Sequence, residues 1–224
     1  MNPRHPRVSE NRVVPQEHYF TTQPRVASHP LTVRLELPDR GIELVTDRGV
    51  FAHGRIDRGT ELLLRGVPPP PSMGDLLDLG CGYGPIAITV ALRAPAARVW
   101  AVDVNQRALD LCARNARAAG AANVVAVPPD QVSDGVNFNA LYSNPPVRLG
   151  KEPLHDVLRA WLGRLAADGA AFLVVQRHLG SDSLVQWLEQ HGHATTRLRS
   201  KWGYRVLEAR PALGSDHDGD HVLE

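Results

Sequence analysis

The chain has 224 residues, with 25 Lys+Arg against 24 Asp+Glu, 43% hydrophobic and 22% charged residues. That length fits one domain with an extension and can bury a core without a disulfide or metal staple. The composition excludes collagen-like and wholly disordered classes. No apolar run reaches the ~18 residues of a membrane span, and a net charge of +1 excludes holding nucleic acid by bulk electrostatics alone. Residues 1–20 lack a signal-peptide core. Cys81 and Cys112 form neither a disulfide framework nor a CxxC pair, so the expectation is a reducing, cytoplasmic setting.

Residues 1–17 are rich in Pro, Arg and Asn and read as a flexible arm. Residues 18–66 form the next zone. There LTVRLEL and GIELVTD alternate with period two on either side of Pro38-Asp39-Arg40-Gly41, which predicts a β-hairpin. A Leu run then stops at Val67-Pro68-Pro69-Pro70-Pro71, a rigid joint. The main unit spans 67–210 and changes pattern to strand, helix, strand. DLLDLG is a strand, PIAITVALRA a helix, RVWAVDV a strand, and NQRALDLCARNARAAG an amphipathic helix with Asn105 as N-cap and Gly120 as C-cap. NVVAVP and FNALYSNPP are strands, EPLHDVLRAWLGRLAADG a helix, AAFLVVQ a strand and SDSLVQWLEQHG a helix. HATTRLRS and GYRVLEAR close the unit as a hairpin turning at Lys201-Trp202-Gly203. Residues 211–224 carry a His/Asp-rich sequence read as a disordered tail. The alternation predicts an α/β fold: a doubly wound, seven-stranded, mostly parallel sheet with an N-terminal β-hairpin extension.

Chemistry concentrates at strand tips. Asp78-Leu79-Gly80-Cys81-Gly82-Tyr83-Gly84 follows a strand and opens a helix. Alternate glycines let the backbone turn sharply and leave no side chain between loop and ligand. A dinucleotide G-x-G-x-x-G fingerprint would place its third glycine where Pro85 stands, which weakens a pyrophosphate reading. Asp103 ends the next strand, followed by Val104, and a carboxylate there can accept two hydrogen bonds from a ribose diol. The alternative for Asp103 is a charge beside the Asn105 helix cap. Ser143-Asn144-Pro145-Pro146 ends the fourth strand of the main unit. Two prolines stiffen this loop and donate nothing, so the Asn144 side-chain oxygen and the Pro145 carbonyl form a rigid acceptor pair for an exocyclic amine. A capped proline turn is the alternative. No His/Cys/Asp cluster has metal-ligand spacing.

D-x-G-x-G-x-G together with N-P-P resembles the class I S-adenosylmethionine-dependent methyltransferases with a Rossmann-like fold that act on amino groups. Thr46-Asp47-Arg48-Gly49-Val50-Phe51, Asp57-Arg58-Gly59-Thr60, Asn144-Pro145-Pro146-Val147-Arg148-Leu149-Gly150-Lys151 and Gly203-Tyr204-Arg205-Val206-Leu207 narrow the resemblance. They are similar to the methyltransferase small-domain family, which includes the C-type guanine-N2 methyltransferases of small-subunit ribosomal RNA. The resemblance runs from His18 to Arg210. It implies S-adenosylmethionine as cofactor, held by Asp78, Gly80, Cys81, Gly82, Tyr83, Gly84, Asp103, Val104, Asp130 and Asn144, with Asp130 toward the adenine amine. It implies Asn144, Pro145 and Pro146 as catalytic residues, and ribosomal RNA or a ribosomal subunit as partner. Phe51 is placed near adenosine or the target base, with a core position as its alternative. Arg148 and Lys151 are candidate phosphate contacts, or else a solvated helix start beside Glu152. Two departures bear on the substrate: Val147 replaces the aromatic residue that often follows N-P-P, and only an arm and hairpin precede the core. A glutamine amide, a small-molecule amine or a non-catalytic binding role are the competing readings.

Overall fold

In the computed structural model, residues 24, 26–145 and 150–212 are described. The N-terminal arm, the tail from residue 213, and Pro146 through Leu149 lie outside the described residues, so the expectations for Pro146 and Arg148 do too. β1 (Leu31–Glu36) and β2 (Gly41–Thr46) pair antiparallel, Leu31 opposite Thr46 and Glu36 opposite Gly41, as a separate two-stranded sheet. Leu35, Ile42 and Leu44 face inward and are buried, so the period-two pattern is used as read.

The extension contains more than a hairpin. Helix α1 (Arg58–Gly66) follows, and it packs on the seven-stranded sheet. Its signal was the Leu run preceded by Asp57, whose side chain accepts from the Gly59 and Thr60 amides as an N-cap.

The main sheet comprises β3 (Asp75–Leu79), β4 (Arg98–Val102), β5 (Val124–Val127), β6 (Phe138–Ser143), β7 (Leu165–Gln176), β8 (His193–Lys201) and β9 (Tyr204–Pro211). Their order is β5-β4-β3-β6-β7-β9-β8; β3 to β7 run parallel, and β9 is antiparallel to both neighbours. The expected doubly wound sheet with a closing edge hairpin is present. At the β8–β9 turn, Trp202 and Gly203 both have positive φ, the signature of a type I′ connection. β9 runs one residue into the segment expected to be tail, through Pro211.

Helices α2 (Pro85–Arg93) and α3 (Gln106–Ala118) lie with α1 and the hairpin over one face, while α4 (Lys151–Leu162) and α5 (Ser181–Gln190) cover the other. Leu76 and Leu77 are each fully buried, one in each core, as expected of a strand covered on both sides.

One boundary differs from the sequence reading. Residues 165–169 belong to β7, not to the end of the preceding helix. Leu165 is the register partner of Phe138, whose amide donates to the Arg164 carbonyl, and strand pairing outweighs the helical propensity of the Leu-Ala-Ala stretch. The register is irregular before Ala170, and a Cβ on Gly169 would stand 2.8 Å from the Phe138 carbonyl oxygen.

Candidate active site

The chain reverses its winding at β3, sending β4 and β5 one way and β6 and β7 the other. In open α/β sheets such a switch point opens a crevice at the carboxyl ends of the strands. Here a cavity of about 890 Å³ lies at those ends, lined by Leu79, Gly80, Gly82, Asp103, Asn144 and Gln176 among others. Residues 50–52, Arg55 and Asp57 of the extension form a further wall.

Gly80, Gly82 and Gly84 all have positive φ, which a side chain disfavours. A Cβ on Gly80 or Gly82 would meet nothing within 4 Å, so the loop leaves room where a cofactor would rest. Gly84 faces inward instead: a Cβ there would stand 2.7 Å from the Cys112 Sγ, so this glycine lets α2 and α3 close together. The Gly80 and Cys81 amides both donate to the Val102 carbonyl, at 2.8 and 3.0 Å.

Asp103 accepts from the Gly82 amide and the Asn105 amide, 2.9 Å each, one through each oxygen. Burial pushes its carboxyl up, opposed by backbone N–H groups of Asn105, Gly82 and Val104. With three backbone donors on about four acceptor sites, the carboxylate keeps acceptor capacity for a hydroxyl. Asp78 is buried at 1% exposure; its Oδ2 accepts from the Ala87 amide at 2.9 Å and its Oδ1 has no partner. Burial pushes its carboxyl up to about 8.

Gly80, Gly82, Asp103, Val104, Asn144, Pro145 and Phe51 thus meet around one cavity. Other expected residues do not line it. Cys81 is buried, with its Sγ toward the Gly82 carbonyl. Tyr83 is 2% exposed, and its hydroxyl donates to the Arg55 carbonyl at 3.0 Å, bracing the extension. Asp130 is exposed on the 3-10 turn Pro129–Gln131, and its neighbour Pro129 reaches the cavity instead. Lys151 is exposed at the first turn of α4. Asp47, part of the T-D-R-G-V-F match, is a buried anchor that accepts from Ser28 Oγ and the His29 and Arg48 amides.

Ser143 Oγ donates to the Leu79 carbonyl at 2.7 Å, fastening the end of β6 to β3. The next residue, Asn144, donates through Nδ2 to Asp57 Oδ1 at 2.7 Å and to Thr60 Oγ1 at 3.1 Å. Asp57 was absent from the expected site residues. Its visible signal was its place in the Asp57-Arg58-Gly59-Thr60 match, to which no site role was attached. Among the described residues, no group of three His, Cys, Asp or Glu side chains is placed to hold a metal, and no helix is long and apolar enough to cross a membrane.

A cradle with space above Gly80 and Gly82, and a carboxylate rather than an anion-binding side chain at the next tip, suits a nucleoside that carries no phosphate. The molecule is an S-adenosylmethionine-dependent methyltransferase. The chain belongs to the methyltransferase small domain family, whose model matches residues 41–208. It is 32% identical over 197 residues to the uncharacterised protein YbxB of Bacillus subtilis (strain 168), covering 87% of this chain and 98% of that one. It is 34% identical over 163 residues to the ribosomal RNA small subunit methyltransferase C of Shewanella amazonensis, covering 70% of this chain and 47% of the relative. The chain therefore spans about half the length of the ribosomal RNA methyltransferase it resembles. Among solved structures, the T. thermophilus 16S rRNA N2 guanine methyltransferase RsmC, in complex with S-adenosylmethionine and guanosine, superposes with a TM-score of 0.68 at 22% identity, covering 84% of this chain and 52% of that chain. That likeness is one of fold.

Proposed function

We propose that this enzyme methylates an exocyclic base amine of ribosomal RNA, guanine N2, with Asn144 and Pro145 as the acceptors that hold the amine. The observation that carries the proposal is the Asn144 amide. Its nitrogen is already engaged by Asp57 and Thr60, so its oxygen is the end left for a substrate N–H. Bound S-adenosylmethionine supplies a methyl group already activated by its sulfonium. The protein's task is then to position the nitrogen and exclude water, which supplies roughly 7–11 kcal/mol in favourable cases. Accepting both N–H bonds of the amine at Asn144 Oδ1 and the Pro145 carbonyl turns its lone pair toward the methyl. The nitrogen gains positive charge as it attacks, so these acceptors strengthen in the transition state. The proton departs to water afterwards, and no histidine base is required.

Gly80 and Gly82 would carry the cofactor's backbone-contacting portion, and Asp103 its ribose hydroxyls. The names of the ribosomal RNA relatives support the substrate class, and the exposed cation Arg55 on the cavity wall suits a phosphate backbone.

The test is methyl transfer from tritiated S-adenosylmethionine to protein-free small-subunit rRNA, intact ribosomal subunits and a ribosomal protein fraction. Label in RNA that digests to N2-methylguanosine is the expected result. Asn144→Ala should slow single-turnover transfer by about a hundredfold, roughly 3 kcal/mol, with cofactor affinity nearly unchanged. Label confined to protein would establish the glutamine-amide reading instead. Wild-type turnover by Asn144→Ala would refute the role given to this residue.

A further inference from the structure

We infer that Asp57, assisted by Thr60, is a positioning residue that dictates which end of the Asn144 amide faces the methyl acceptor. The inference rests on the reading of Asn144 given above. A primary amide has two nearly isosteric ends, and rotating it by half a turn exchanges an acceptor for a donor. A donor facing an amine N–H would repel it. Something must therefore fix the orientation.

An ionised carboxylate only accepts hydrogen bonds, so Asp57 can receive only the NH₂ end of Asn144. The 2.7 Å contact from Nδ2 to Oδ1 is that bond, and Thr60 Oγ1 takes the other hydrogen at 3.1 Å. With both hydrogens used, the amide oxygen is committed to the opposite side. Asn144 and Asp57 both line the cavity, so the pair acts at its wall and not in a remote core.

Asp57 is itself immobilised. The same Oδ1 accepts from the Gly59 amide at 2.9 Å and the Thr60 amide at 3.1 Å, the first turn of α1. Thr60 is buried, and α1 packs against β7 and β9. The orientation of the acceptor is thus inherited from a helix cap anchored on the sheet. Donation to a carboxylate also polarises the amide and strengthens its oxygen as an acceptor. The extension is on this account half of the catalytic apparatus: it supplies the group that makes Asn144 an acceptor.

Two substitutions separate capping from positioning. Asp57→Ser keeps a strong N-cap residue but is too short to hold the Asn144 amide. Asp57→Asn keeps length and a cap, yet can offer either end of its own amide. Both should fold, as melting temperatures will verify. With protein-free small-subunit rRNA as probe, Asp57→Ser should slow single-turnover transfer on the order of a hundredfold, as small misplacements do. Asp57→Asn should fall between it and wild type, and calorimetric affinity for S-adenosylmethionine should hold for both. In the Asn144→Ala background, Asp57→Ser should cost nothing further, because its effect passes through Asn144. A second readout needs no substrate. The side-chain ¹H–¹⁵N pair of Asn144, assigned by its loss in Asn144→Ala, should exchange slowly in wild type and fast in Asp57→Ser. Wild-type turnover by Asp57→Ser, or an equal cost with and without Asn144, overturns the proposal and leaves the Asn144 reading standing. Wild-type turnover by Asn144→Ala removes that reading. Unchanged exchange of the Asn144 amide in Asp57→Ser overturns the orientation claim whatever the substrate proves to be.

Discussion

Asn115 is the polar clasp between the extension and the cofactor loop, and removing it should loosen both. It is 3% exposed, in the last turn of α3. Its Oδ1 accepts from the Val45 amide at 2.9 Å, and its Nδ2 donates to the Val45 carbonyl and the Tyr83 carbonyl, 2.8 Å each. Toward β2 it behaves like one rung of a missing strand; toward the glycine loop it fixes the residue before Gly84. Asn115→Ala deletes three hydrogen bonds of about 1 kcal/mol each and leaves the Val45 N–H without its partner. Some of that loss overlaps, so a total near 3–4 kcal/mol is expected, within the range of single buried-network disruptions. For a chain of this size that corresponds to a fall of roughly 6–16 °C in melting temperature. Residues 50–52, Arg55 and Asp57 of the extension line the cavity, so S-adenosylmethionine affinity should weaken as well. The assay is thermal unfolding by circular dichroism alongside calorimetric titration. Asn115→Asp adds a sign test: its carboxylate can still accept from Val45 but opposes two carbonyls, so it should be less harmful at pH 4 than at pH 7. A melting temperature within 2 °C of wild type for Asn115→Ala would refute the clasp.

Two further expectations follow from the core. Asp78 has a folded pKa of about 8, far above the ordinary carboxylate value near 4. Between those values the folded state holds a proton that the unfolded state has lost, so this group's contribution falls as pH rises, by about 1.4 kcal/mol per pH unit. Asp78→Asn removes the titration, and urea denaturation should show its stability relative to wild type improving from pH 5 to pH 7.5; parallel profiles would contradict the buried neutral acid. Gly84→Ala combines a left-handed φ of +93° with a Cβ 2.7 Å from Cys112 Sγ and should cost about 2–4 kcal/mol. Gly120→Ala has φ +75° and open space, so it should cost about 1–2 kcal/mol in the same melting experiment; equal losses would mean that packing at Gly84 is unimportant.

What the sequence made legible was whatever is encoded locally. The glycine loop, the Asn105 cap, the hairpin alternation and the N-P-P tip each consist of neighbouring residues whose chemistry shows without a fold. The convergence of the glycine loop, Asn105, Asn144 and Pro145 at one cavity follows from the parallel topology, because carboxyl ends of adjacent strands share an edge. The helix boundary at Leu162 was hidden because Leu165, Ala166 and Ala167 favour a helix on their own and become strand only by pairing beside Phe138. Tyr83 was placed with the cofactor by its position in the motif, yet its side chain leaves the loop to brace Arg55. The roles of Asn115 and Asp57 were hidden for a different reason: they reach partners 70 and 87 residues away, respectively, and neither the helical setting of Asn115 nor the family match that includes Asp57 names that partner.

That difference matters for how the site is built. A motif can specify that an asparagine sits at a strand tip, but it cannot specify which way its amide turns, because the two ends are equivalent to the local chain. On the proposed reading the choice is made by a carboxylate from the extension, and that carboxylate caps a helix whose buried Leu62, Leu63 and Leu64 pack it onto the sheet. The acceptor chemistry of Asn144 is therefore a property of the whole folded unit, and damage to the extension should reach the methyl-transfer step even where the N-P-P residues are untouched.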